Sequence, residues 1–272
     1  MDATTGTVIA PDGTGLFTRT WIPEDSKANV LLVHGLGDHC GRWDHVGRFL
    51  ADRGYAVTAF DLRGHGESEG RRGHVDTFDD FVSDVAHVAG EAGLFDDSMP
   101  WVLYGHSLGG LIATRYLLSD YPQPDVAVLS SPALDADVPQ ILRTASSVLG
   151  RMVPTLSMPN SITGDQLSRD PDVGETYVAD PLVHSKATTG FGHTSLAAQA
   201  EALDNLDKIR VPTLVFHGAD DPLVPPSASA PLAAVDSVER RVYPGLRHET
   251  HNEPEADQVL ADVADWLDSA FM

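Results

Sequence analysis

Apolar positions along the chain follow two rhythms. From Val30 onward, short apolar runs at 30–33, 56–60, 102–104, 126–129, 214–216 and 238–242 alternate with stretches of helical period. Runs without polar alternates are buried on both faces, and such runs separated by helices predict a mostly parallel sheet with helices on both sides, an α/β fold. Helical spacing is plain at Phe78, Phe81, Val82, Val85 and Val88, and again at Val259, Leu260, Val263, Trp266 and Leu267. Ahead of this region, segments 7–10 and 17–22 flank Pro11-Asp12-Gly13-Thr14-Gly15, whose Asp-Gly step supplies the positive φ of a hairpin turn.

The alternation stops between Ser131 and Ile209. Val138, Ile141, Leu142, Val148, Leu149, Met152 and Val153 recur there at irregular helical spacing, followed by a polar stretch from Asn160 to Thr176. A structureless loop of that length is foreign to a compact domain. Residues 132–209 are therefore expected to form a mostly helical cap, inserted into a core made of 1–131 and 210–272.

Gly105-His106-Ser107-Leu108-Gly109-Gly110 sits between the apolar run 101–104 and the helical Leu111, Ile112, Tyr116 and Leu117. A GxSxG segment in a strand, turn, helix setting lifts a hydroxyl clear of the sheet, and the glycines let neighbouring backbone approach without a Cβ clash. A serine hydroxyl is a weak nucleophile, so it needs a base, and the base needs an orienting acid. Both follow downstream. Phe216-His217-Gly218-Ala219-Asp220-Asp221 leaves one predicted strand, and Tyr243-Pro244-Gly245-Leu246-Arg247-His248 leaves the next. The order serine, aspartate, His248 is that of hydrolases with a nucleophile elbow, while spacing alone leaves Asp220 and Asp221 both open as the acid.

Other stretches add to this: His34-Gly35-Leu36-Gly37-Asp38-His39 with Gly41-Arg42, Asp61-Leu62-Arg63-Gly64-His65-Gly66-Glu67-Ser68, and Gly70-Arg71-Arg72-Gly73. Leu167-Ser168-Arg169-Asp170-Pro171 and Asp180-Pro181-Leu182-Val183 complete the set. Through nearly its whole length the chain resembles the monoglyceride lipase and lysophospholipase group of α/β-hydrolases. The resemblance implies an α/β-hydrolase fold and a serine carboxylester hydrolase that cleaves monoacylglycerols or similar acyl esters through an acyl-serine. It places the acid at Asp221, the base at His248, and the oxyanion hole at the backbone N–H groups of Leu36 and Leu108. It also implies that Asp38, Arg42 and His251 hold the alcohol moiety. Asp38 and Trp43 depart from the commoner Glu and Tyr, which sets the polar wall of that pocket further back. The same scaffold carries lysophospholipases, short-chain carboxylesterases, prolyl-type aminopeptidases and catalytically silent binding proteins. Ile141, Leu142, Leu149, Met152, Val153, Leu156 and Met158 are expected either to form a lid over the acyl chain or to pack the cap onto the core.

Composition narrows the partners. The 272 residues carry 40 acidic against 18 Lys and Arg side chains, a formal net charge of −22. Nucleic acid and anionic membrane surfaces demand a basic face, so neither is an expected partner; the partner is a small acyl ester. One cysteine excludes an intrachain disulfide and any CxxC motif. The N-terminal residues lack the regions of a signal peptide and no long apolar run occurs, so the expected location is cytoplasmic. His248-Glu249-Thr250-His251 has one residue between Glu and His where the zincin motif has two, so no metal and no cofactor is expected. Ser107 excludes the aspartate chemistry of the dehalogenases and epoxide hydrolases on this scaffold.

Overall fold

A computed structural model of the chain describes residues 2–96, 98–135, 148–160 and 162–271. Among them are ten strands: β1 (Thr4–Ile9), β2 (Gly15–Trp21), β3 (Ala28–Val33), β4 (Tyr55–Phe60), β5 (Trp101–His106), β6 (Val126–Ser130), β7 (Ser157–Pro159), β8 (Lys186–Thr188), β9 (Thr213–Gly218) and β10 (Val238–Tyr243). Eight of these join one sheet in the order β1-β2-β4-β3-β5-β6-β9-β10, and β7 pairs with β8 apart from it. The hairpin β1–β2 is antiparallel, as is β2–β4, and every later neighbour pair in the sheet is parallel. The hairpin strands begin earlier than their apolar positions suggest, because Thr4, Thr5 and Gly6 pair through backbone alone and β1 stays largely exposed.

Alternate residues of each central strand feed two separate cores, which is why the strands read as unbroken apolar runs. Leu31 and Val33 of β3 belong to one core with Leu103 and Leu129, while Val30 and Leu32 belong to the other with Val102 and Val128. The described helices are α1 (Asp44–Ala51), α2 (Phe78–Glu91), α3 (Leu108–Leu117), α4 (Gly164–Leu167), α5 (Pro171–Ala179), α6 (Thr189–Leu203) and α7 (Ala256–Ala270). α2, α3 and α6 cover the first core through Phe81, Ile112 and Phe191; α1 and α7 cover the second through Leu50 and Val263. Thr77 and Asp80 form a reciprocal capping box that fixes the start of α2. Among the described residues no helix is long and apolar enough to cross a membrane.

Between β6 and β9 the described residues hold α4, α5, α6 and the β7–β8 ribbon. α6 buries Ala198 and Ala202 in the same core as α2 and α3, so the end of this segment covers the sheet itself. Val138, Ile141 and Leu142 lie outside the described residues. Because the central strands run parallel, the loops leaving β3, β5, β6, β9 and β10 converge at one edge of the sheet, the usual place for a site in such folds.

Candidate active site

Ser107 stands between β5 and α3 with φ 53° and ψ −114°, a positive-φ conformation unusual for a side chain with Cβ. The turn is possible because its glycines approach backbone at close range. A Cβ on Gly105 would stand 2.2 Å from Gly109 O, and one on Gly109 would stand 2.1 Å from Val33 O. The Ser107 N–H donates to Ser130 O at 2.9 Å, which pins the elbow to β6.

The structure brings Ser107, His248 and Asp221 into one hydrogen-bonded line. Ser107 Oγ lies 2.9 Å from His248 Nε2, and His248 Nδ1 lies 2.7 Å from Asp221 Oδ2. An ionised Asp221 accepts the Nδ1 proton, which leaves Nε2 free to accept from the serine. Asp221 Oδ2 also takes His217 Nε2–H at 3.1 Å, while Oδ1 takes the N–H groups of Leu223 and Val224 at 2.9 and 3.0 Å. Burial alone would raise this carboxyl, yet the facing His248 and these donors hold it well below the usual carboxylate range. Asp220, one position earlier, is exposed and outside the line.

Leu36 and Leu108 flank the serine from two sides. Gly35 passes so close that its Cβ would stand 3.3 Å from Ser107 Cβ, and the following Leu36 lines the same small cavity as Ser107. Leu108 opens α3, where first-turn N–H groups have no intrahelical acceptor. His34 fixes the approach: its Nδ1–H donates to Gly35 O at 2.8 Å, and its Nε2 accepts the Leu62 N–H at 3.0 Å. Asp61 ties the neighbouring loops by accepting the N–H groups of Cys40 and Glu67, each at 2.7 Å.

The remaining expected residues divide. Asp38 lines a small cavity with Ser107, His248, Leu36, Tyr177 and Glu249, a space of about 20 Å³ that suits about one water. Arg42 stands behind that lining, joined to Asp38 and, through both arms of its fork, to Glu249. His251 is buried, stacked on Trp43 with ring centroids 3.9 Å apart, and does not line the cavity. Trp43 turns its Nε1–H to Asp38 Oδ2 at 2.8 Å. Sequence reasoning missed Glu249, Tyr177 and His217; the adjacency of Glu249 to His248 and the His217 next to the acid loop were the available signals. Of the apolar residues expected in the cap, Leu149, Met152, Val153, Leu156 and Met158 are exposed and are not among the described residues that line the cavity. Among the described residues, no group of three or more metal-ligating side chains could hold an ion.

Comparison with known proteins points the same way. The family described as "Serine aminopeptidase, S33" matches residues 24–255. A monoacylglycerol lipase of Mycolicibacterium smegmatis is 36% identical, covering 94% of this chain and 93% of the relative. A phospholipase of Bacillus subtilis is 29% identical, covering 89% of this chain and 95% of its own length. The crystal structure of the Paleococcus ferrophilus monoacylglycerol lipase superposes with a TM-score of 0.85 at 30% identity, covering 99% and 100% of the two chains. The chain therefore belongs to the serine aminopeptidase S33 family, as a monoglyceride lipase-like α/β-hydrolase.

Proposed function

We propose that this enzyme is a serine carboxylester hydrolase that cleaves monoacylglycerols and similar acyl esters to fatty acid and alcohol. The observation that carries the reading is the line from Ser107 Oγ through His248 to Asp221, with both hydrogen bonds formed. Ser107 attacks the ester carbonyl while His248 Nε2 takes its proton, and Asp221 holds the tautomer and stabilises the imidazolium. The N–H groups of Leu36 and Leu108 receive the oxyanion, each contributing about 2.7 to 4 kcal/mol at the transition state. The alcohol leaves with the proton from His248, and water repeats the sequence on the acyl-serine. Asp38 receives the alcohol directly, with Arg42 and His251 acting from behind it. Ile162, Leu167 and Tyr177 close the cavity from the insertion, so they give way when substrate enters.

A panel of p-nitrophenyl esters of increasing chain length, run beside monoolein and a proline amide, tests the substrate class. Turnover confined to the amide would replace this reading with an aminopeptidase, the activity in the family's description. Ser107→Ala should fold normally and lose ester turnover by about 10⁴-fold or more, with fluorophosphonate labelling lost in parallel. Retained turnover would place the nucleophile elsewhere.

A further inference from the structure

The wall of the cavity nearest Asp38 carries charge that does not cancel. Arg42 offers one guanidinium to two carboxylates: Nη1 donates to Asp38 Oδ1 at 2.9 Å and to Glu249 Oε1 at 2.8 Å, and Nη2 donates to Glu249 Oε2 at 2.7 Å. All four carboxylate oxygens accept. Asp38 Oδ1 also takes the His39 N–H and Oδ2 takes Trp43 Nε1–H, each at 2.8 Å; Glu249 Oε2 takes Asn252 Nδ2–H at 2.7 Å. A protonated carboxyl would need to donate, so the pattern is that of two ionised groups against one cation.

The placement of the charges matters as much as their sum. Asp38 and Glu249 line the cavity beside Ser107 and His248, whereas Arg42 is held behind them, and among the described residues neither lysine nor arginine stands in the lining. The three side chains are 4, 3 and 9% exposed for Asp38, Glu249 and Arg42. A leaving alcohol in this space therefore meets carboxylate oxygens, with water too scarce to screen them. Hydroxyl groups find strong acceptors there. A phosphate or carboxylate on the alcohol meets like charge.

We propose that Glu249, together with Asp38, sets leaving-group specificity: the site accepts esters of uncharged, hydroxyl-bearing alcohols and rejects esters whose alcohol carries a phosphate or carboxylate. This rests on the acyl-ester reading above and narrows it. The similarity to a phospholipase makes the question a sharp one, since a phosphorylated alcohol is the excluded class.

A matched pair separates the possibilities: octanoylglycerol and octanoylglycerol phosphate, which share acyl chain and ester bond and differ in the phosphate. Their kcat/KM ratio is measured below micelle formation for the native enzyme, Glu249→Gln and Asp38→Asn. Each ratio is internal to one preparation, so a reduced folded fraction cancels. The native enzyme should favour the neutral ester by roughly 100-fold or more. This preference should persist in about 0.5 M KCl, where repulsion by the net charge of the whole molecule is screened. Either variant should shrink the ratio by about tenfold, through faster turnover of the phosphate ester. A ratio unchanged in both variants, or a native preference that vanishes in salt, would overturn the proposal. Turnover of monoolein without discrimination between the pair leaves the ester reading standing and sinks this one; turnover of neither glycerol ester sinks both.

Discussion

Two parts of the segment between β6 and β9 meet the rest of the molecule on opposite terms. Residues 164–180 are bound by polar groups to the loop that carries His248. Arg169 donates to Glu253 Oε2 through Nε at 3.0 Å and through its N–H at 3.2 Å, Ser168 Oγ donates to Asn252 O at 2.9 Å, and the Glu249 N–H donates to Leu167 O at 2.8 Å. Arg247 closes the set, giving its N–H to Glu253 Oε1 at 2.6 Å. Residues 148–160 are tied chiefly to their own neighbour, with the N–H groups of Thr189 and Gly190 donating to Leu156 O and Pro154 O, each at 2.9 Å. They present Met152, 76% exposed, and Val148, Val153, Leu156 and Met158 to solvent. Polar bonds between distant parts of the chain fix one position, and the placement of His248 depends on that position. Exposed apolar side chains fix nothing within the chain, so the fold's stability places no demand on them.

The largest effect should come from the ordered side, at the acid itself. Asp221→Asn disrupts the carboxylate that orients His248 and should lower kcat by about 10⁴-fold, while Asp220→Asn, on the exposed side of the same turn, should stay within about twofold. Steady-state kinetics on a soluble ester decide it, and the reverse ranking would reassign the acid. Next comes the staple. Glu253 is fully enclosed and serves two arginines and a serine, so Glu253→Gln should lower kcat by about tenfold or more while KM changes little, because His248 is displaced while Asp38, Leu36 and Tyr177, which Glu253 does not hold, stay in place. A rise in KM at unchanged kcat would mean that residues 164–180 serve substrate binding instead of the base.

How much of this was readable from the sequence depends on how far apart the partners lie. The central parallel strands were legible because residues buried on both faces leave no polar alternates, whereas the edge strand β10 carries Glu239, Arg240 and Arg241 and is only partly buried; α2 and α7 were legible because each turns one long apolar stripe to the sheet. α1 was not read: eight residues with Val46 and Leu50 as its apolar contacts give too short a period. The turn around Ser107 was legible since only glycine permits its close approaches. Nothing in the spacing separates Asp220 from Asp221; what aims Asp221 inward is a turn in which Leu223 and Val224 donate to it. Glu249 and Glu253 were invisible as functional positions because Arg42 and Arg169, their partners, lie 207 and 84 residues away. The apolar positions at 149–158 could be recognised as a set, but a pattern of spacing does not say what covers them.

The seam beneath the ordered side should respond to acid. Burial lowers the affinity of His34, His65, His106 and His251 for protons. Unfolded imidazoles take up a proton near about 6.5, whereas the folded rings do so only at lower pH. Between those limits the unfolded chain binds more protons, so stability is full above about pH 6.5 and falls on acidification by up to about 1.4 kcal/mol per pH unit for each histidine. Urea unfolding midpoints between about pH 7.5 and about 5.5 measure this, and a flat profile would mean that some of these rings are charged in the folded state. His65 meets His184 of the inserted segment with ring centroids 4.5 Å apart, so part of the loss should appear first as weakened contact across that seam.

The smallest effects belong to the exposed side, and they separate the two roles expected of its apolar residues. Met152→Ser and Leu156→Ser should each shift stability by no more than about 0.5 kcal/mol, as for a surface position. A residue that packs the insertion onto the core would instead cost about 2 to 5 kcal/mol on truncation. A side chain that meets the acyl chain of a bound substrate has a different signature: kcat/KM should stay level on acetyl and butyryl esters and fall by a few-fold on dodecanoyl and longer ones, since each buried methylene is worth about 0.8 kcal/mol. Thermal melts and a chain-length series on the same two variants read both quantities. A stability loss uniform with loss at every chain length would return residues 148–160 to the same structural category as 164–180, and the contrast between the two stretches would disappear.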